Sequence, residues 1–206
     1  MKVILVNGSP HEKGCTDTAL CEAAQALEKN GVETERFWLG NKPLSGCIGC
    51  GFCRKAGRCV FDDCVNKFVE KAKTAHGFLF GTPVHYASAS GAITSFMDRA
   101  FYSGSTVFAG KPAAAVASCR RGGASAALDQ INKYFGICGM PTVPSQYWNM
   151  VHGNTPDEVI KDEEGMQTMR TLGNNMAWLL ACIEAGNKAG IAYPTREPVI
   201  RTNFIR

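Results

Sequence analysis

Ten cysteines in 206 residues are many, and five of them, Cys47, Cys50, Cys53, Cys59 and Cys64, crowd one segment. In a secreted miniprotein such a count means disulfides. This chain opens instead on a short apolar run with no charged-then-apolar leader, so a cytoplasmic protein is expected. Reduced thiols, a metal site or redox chemistry then fit the cysteines better. A second set of reactive types lies at Ser9, His11, Cys15, Thr16, Asp17 and Thr18, between the run Val3 to Val6 and the helix-forming run Ala19 to Lys29. A helix N-terminus behind a hydroxyl-rich loop binds anions, phosphate above all. The nucleotide-triphosphate loop is excluded, because Cys15 follows Gly14 where that loop needs Lys. The dinucleotide fingerprint Gly-x-Gly-x-x-Gly is absent after the run. What remains suits a terminal phosphate monoester held by hydroxyls and N–H groups. An ordinary βα turn with a capped helix would use the same residues.

The elements that must position these groups alternate. Strands are expected over residues 3–6, 32–39, 76–81, 111–119 and 140–143, and helices over 17–30, 64–74, 91–101, 124–138 and 162–188. Strands alternating with helices predict an α/β three-layer sandwich around a parallel sheet. Five strands match the doubly wound, flavodoxin-like order 2-1-3-4-5, in which ligands sit at the carboxyl ends of the strands where the winding reverses. That rule gathers three loops: Ser9 to Thr18, Thr82 to Ser90, and Ser118 to Gly123. The second offers Pro83, Val84, His85 and Tyr86 as an apolar and aromatic edge for a planar ring. In the third, Ser118 and Cys119 lead into Arg120 and Arg121, which can offset negative charge, and Gly122 and Gly123, which admit a flat ligand close to the backbone. Phosphate pocket and flat slot together describe flavin mononucleotide (FMN). The organisation expected is one FMN-binding domain over residues 1–188, with a cysteine-rich loop at 46–64 and a tail at 189–206.

Composition narrows the rest. Hydrophobic content of 45% and charged content of 19% are ordinary for a globular protein. The net charge of +4 comes without a basic cluster, so no nucleic-acid partner is expected. No stretch reaches the roughly 20 apolar residues of a membrane span.

The segments GSPHEKGCTDTAL (8–20), GTPVHYASASGAITSFMDRAF (81–101) and SCRRGG (118–123) resemble the NADPH-dependent FMN reductase family of flavodoxin-like proteins over nearly the whole chain. The resemblance implies that Ser9, His11, Cys15, Thr16 and Thr18 surround the FMN phosphate. It implies that Pro83 to Tyr86 and Ser118 to Gly123 line the isoalloxazine ring. His11 and Cys15 stand where that family often carries Arg or Lys and Asn or Ser. The segment CIGCGFCRKAGRCVFDDC (47–64) looks like the compact motif of iron-sulfur flavoproteins, a branch of the same family. There C-x2-C-x2-C-x5-C holds a [4Fe-4S] cluster, and Cys47, Cys50, Cys53 and Cys59 reproduce that spacing. Free thiols and zinc, which four thiolates also suit, stay open beside the cluster.

The expected function is FMN-mediated electron transfer from NAD(P)H to a small acceptor such as a quinone or free flavin. The protein need supply no catalytic side chain, because hydride chemistry belongs to the cofactor. An iron-sulfur flavoprotein passing single electrons, and a non-catalytic redox sensor, are the other two readings. A homodimer or homotetramer is expected from the Met-rich helix at 162–188 and the proline-containing tail. Cys21 and Cys182, within helices, are expected to act as small apolar residues.

Overall fold

The computed structural model describes residues 1–202 and 204. β1 (Lys2–Asn7) lies inside a parallel sheet, with β2 (Glu33–Trp38) on one side and β3 (Gly77–His85) on the other. β5 (Ala113–Cys119) pairs with β3, and β6 (Met150–His152) pairs with β5. The two-residue β4 (Ser88–Ala89) folds back antiparallel on the end of β3. The order β2-β1-β3-β5-β6 is the doubly wound order expected.

Alternation along the strands divides the core between two faces. Ile4, Val6, Phe78 and Phe80 point to one face, where α3 (Cys64–Thr74), α4 (Gly91–Phe108) and α5 (Ala124–Cys138) add Phe68, Phe96, Phe108 and Phe135. Phe68 lies 5.0 Å from Phe96 and 6.0 Å from Phe108 by ring centroid, within the range of favourable aromatic packing. Val3, Leu5, Leu79 and Val116 point to the other face, beneath α1 (Cys15–Lys29) and α7 (Glu163–Lys188). The methionine stripe of α7 belongs here: Met169 and Met176 are fully buried. At Gly173 a Cβ would come within 2.6 Å of the Ala23 carbonyl, so α7 lies close on α1. That stripe is core, whereas Trp178 of the same helix is exposed.

The fifth strand is not where the apolar run Met140 to Val143 puts it. Ala113 N–H donates to the Pro141 carbonyl and Val143 N–H to the Ala113 carbonyl, but only Thr142 forms a bridge with β5. Pro144 has no N–H to continue the ladder. The chain leaves, and pairing resumes at Ala117 with Met150. α4 also runs past residue 101, crossing a kink at Gly104 where a Cβ would meet Val69 of α3 at 2.9 Å. Two short helices escape the periodicity, α2 (Phe52–Ala56) and α6 (Pro156–Lys161). Cys21 is half-buried and donates to Asp17, whereas Cys182 is exposed and makes no part of the core.

Candidate functional site

The loop after β1 is held in shape by its own side chains. Asn7 Oδ1 accepts from Ser9 N–H at 2.9 Å, and Asn7 Nδ2 donates to the Glu12 carbonyl at 3.0 Å. Ser9 Oγ accepts from His11 N–H at 3.1 Å, and Trp38 Nε1 of β2 donates to the Ser9 carbonyl at 2.8 Å. The helix that follows begins at Gly14 with no side-chain cap. Its first N–H groups therefore have no intrahelical partner and face the loop as an anion site does. Thr16 is buried, and its hydroxyl shares a 2.8 Å hydrogen bond with Ser118 Oγ at the end of β5. Thr18 Oγ1 donates back to the Gly14 carbonyl, and the Cys15 thiol reaches the Gly153 carbonyl at 3.8 Å. Burial pushes the Cys15 thiol up from its ordinary pKa, which keeps it neutral. Asp17 turns the other way, with Arg36 Nη1 3.1 Å and 3.2 Å from its two oxygens. Asp17 and Thr18 line a separate cleft of about 510 Å³ on the β2 side of α1, with Asn7, Lys13 and Trp38.

The second and third loops meet each other. Tyr86 (φ 49°) and Ala87 (φ 58°) are both left-handed and join β3 to β4 as a two-residue hairpin turn. Gly and Asn are the usual residues of such a turn. The Tyr86 ring is fully exposed at the tip. Gln130 of α5 holds the returning strand, accepting from Ser88 Oγ at 2.6 Å and Ala89 N–H at 3.1 Å. Gly123 (φ 94°) sits against this turn so closely that a Cβ would lie 2.5 Å from the Ala87 Cα. Ser90 ties the hairpin to the first loop: its Oγ donates to the Gly8 carbonyl at 3.0 Å and caps α4 by accepting from Ile93 N–H. Cys119 is buried, and desolvation raises its thiol pKa. Arg120 and Arg121 are exposed, as are Trp148, just before β6, and His152, its last residue.

The cysteine segment forms a second site. Cys47, Cys50, Cys53 and Cys59 all line one cavity of about 320 Å³. Gly49 (φ 64°), Gly51 (φ 69°) and Gly57 (φ 66°) let the chain curl around it, with Cys53 on the short α2 between the last two. Among the described residues, no three His, Cys, Asp or Glu side chains stand gathered as a metal-ligand set. The donor chemistry nevertheless suits a soft, thiolate-bound group. Four thiols share one cavity, Cys59 is buried, and the Arg99 guanidinium donates to its sulfur. Cys64 stands outside the lining, at the start of α3.

Ser9, Thr16, Ser118, Gly123 and the hairpin thus share one edge of the sheet, and Asp17 and Thr18 turn from it. Sequence reasoning missed Asn7, Trp38, Ser90 and Gln130, which hold this edge, and Arg99, which lines the cysteine cavity. Only Ser90 carried a signal, as an N-cap type just before the fourth helix.

A doubly wound parallel sheet with an uncapped helix after its first strand, and two loops meeting across its switch point, is the architecture of flavodoxin-like proteins. Residues 1–155 match the NADPH-dependent FMN reductase family, and the chain belongs to it. An iron-sulfur flavoprotein of Methanocaldococcus jannaschii is 33% identical over 195 residues, covering 89% of this chain and 100% of that one. The structure of RosB with bound 8-demethyl-8-formylriboflavin-5'-phosphate superposes with a TM-score of 0.69 at 16% identity, covering 100% of this chain and 96% of that one. A flavodoxin from the domain Archaea gives 0.60 at 16% identity, covering 88% and 99%. The chain is a flavin-dependent oxidoreductase with the flavodoxin-like fold and an iron-sulfur-flavoprotein-like cysteine motif. Among the described residues, no helix is long and apolar enough to cross a membrane.

Proposed function

We propose that the chain uses FMN to carry electrons from NAD(P)H to a small acceptor such as a quinone or a free flavin. The observation that carries the reading is the junction of three loops at the switch point, through Thr16 with Ser118 and Gly123 with Ala87. Ser9, His11 and the first N–H groups of α1 bind the phosphate, with Cys15 and Thr16 forming the wall behind it. Pro83 to Tyr86 and Ser118 to Gly123 flank the ring. Asp17 and Thr18 shape the helix start without touching the phosphate. When bound, FMN supplies acceptance of a hydride and release of electrons to the acceptor. The chain's part is to orient that ring and to keep the half-buried Cys15 and buried Cys119 thiols protonated beside it. Steady-state NADH and NADPH oxidation with quinone or flavin acceptors tests the reading; no turnover with either donor would favour the redox sensor.

Ser9→Ala with Thr16→Ala removes one loop hydroxyl and the brace behind it. We expect FMN binding to weaken by about 1 kcal/mol or more per lost hydrogen bond, so roughly thirtyfold for the pair. A fluorescence titration that superposes on wild type would show the phosphate site to be misplaced. The oligomeric expectation also stands as a proposal: sedimentation at micromolar concentration should give a dimer or tetramer. With the Met stripe buried, its basis moves to exposed apolar side chains such as Trp178 and Ile137. A mass of one chain would overturn it.

The cavity supports a second reading, in which Cys47, Cys50, Cys53 and Cys59 hold a [4Fe-4S] cluster for single-electron transfer. Anaerobic reconstitution should then give about four iron atoms per chain. Cys53→Ser should abolish the broad visible absorption, and Cys64→Ser should leave it. Zinc without that absorption would replace the cluster by a structural site.

A further inference from the structure

Arg99 leads the fully buried side chains by volume among the described residues, and its side chain is 1% exposed. α4 carries it from the core into the wall of the cysteine cavity. Its guanidinium grips Asp63 with both ends, Nη1 at 2.7 Å from Oδ2 and Nη2 at 2.9 Å from Oδ1. Nη1 also donates to the Ser45 carbonyl at 3.2 Å, just before the first cysteine of the motif. The remaining edge, Nε, donates to Cys59 Sγ at 3.2 Å.

One side chain therefore fixes both ends of the cysteine segment and one of its sulfurs. A neutral thiol is a weak acceptor and a poor use for a buried cationic N–H. A metal-bound thiolate is a good one, because charge-assisted hydrogen bonds are about twice as strong as neutral ones. The four cysteines divide accordingly: Cys59 is buried and held, while Cys47 and Cys50 are exposed and Cys53 is half-buried. We propose that Arg99 is the positioning residue of this cavity, holding Cys59 ready as the anchoring ligand and offsetting the charge of a tetrathiolate metal group. The proposal rests on the second reading above. It adds an assignment outside the four-cysteine spacing, 40 residues beyond Cys59.

The test uses the full chain, metal-free and reduced, titrated anaerobically with cobalt(II) and followed by thiolate-to-cobalt absorption. Wild type is compared with Arg99→Lys, which keeps a charge but not the fork. It is also compared with Arg99→Leu/Asp63→Leu, which removes both charges so that neither is left buried alone. Far-UV circular dichroism checks the fold of each. Cobalt should bind at least tenfold more weakly to both variants. In protein reconstituted with iron and sulfide, the double variant should be reduced about tenfold less readily, a downward shift of about 59 mV for a one-electron couple. A merely structural role would lower the melting temperature and leave that potential unmoved. Folded variants that take up cobalt as wild type does, with an unmoved potential, would overturn the role of Arg99 alone. Wild type that binds neither cobalt nor an iron–sulfur group would overturn the second reading, and the proposal with it.

Discussion

Asp63→Ala should cost the fold about 3 kcal/mol, the lower end for breaking one partner out of a buried ion pair. The cost arises on the other side chain. Arg99 is buried, and without Asp63 its guanidinium keeps only carbonyl and sulfur acceptors. Asp63 also caps α3 by accepting from Val65 N–H at 3.0 Å, a cap worth about 1 kcal/mol by itself. Asp63→Asn retains an oxygen for the cap and loses the charge, so it should fall between wild type and Ala. The neighbouring Asp62 is a control within the same segment: its side chain is 90% exposed and its nearest partner, Arg58, lies 3.9 Å away. Asp62→Ala should change stability by less than about 0.5 kcal/mol, as exposed pairs do. Urea denaturation would separate the two, and equal midpoints for Asp62→Ala and Asp63→Ala would refute the account of Arg99.

Gly123→Ala should destabilise by about 2 kcal/mol and weaken FMN binding at least tenfold, as a joint effect of backbone and contact. At φ 94° a side chain is strained whatever the space, and here the added Cβ would lie 2.5 Å from Ala87 Cα and 3.0 Å from Val84 Cγ1. The hairpin must therefore move, and it carries Val84 to Tyr86, the proposed edge of the ring slot. Gly122→Ala is the matched comparison. Gly122 has no left-handed φ, and an added Cβ there meets nothing within 4 Å. Its stability should be close to wild type. Thermal melts and flavin titrations of the two variants check this. If Gly122→Ala proved the more damaging, the contact between hairpin and third loop would not be what shapes the slot.

How far the sequence reveals such a site depends on the range of the interactions involved. β1, β3 and β5 were legible because runs buried on both faces are continuously apolar, and α1 and α3 because one end of each carries a recognisable residue, Gly31 after α1 and Asp63 before α3. Asp63 could be read as a cap, since capping is local. Its second task, receiving Arg99 from 36 positions away, could not be. Arg99 itself sits in MDRAF, where an arginine on a helix reads as a solvated residue. The fifth strand went wrong for a related reason. Met140 to Val143 is apolar enough for a strand, but Pro144 decides where pairing can continue, and Met150 to His152 is too short to announce itself. The phosphate loop was visible as a type of loop. That Thr16 answers Ser118 and Asp17 answers Arg36 depended on which strand lies beside which.

The bond between Thr16 and Ser118 spans 102 residues. Long-range pairings form late, because the chain pays the entropy of closure before they return anything. A nascent chain that has emerged as far as residue 110 holds the hydroxyl loop, the hairpin and the whole cysteine segment, yet neither Ser118 to back the first helix nor Gly123 to seat the turn. Cysteines and Arg99 can already meet at that stage, since the partners of Arg99 lie between Ser45 and Asp63 and the cavity lining ends at Ser103. The two sites are therefore separable in time during synthesis. The thiol cavity can close first, and the flavin edge can be assembled only after the strand from Ala113 to Cys119 has joined the sheet.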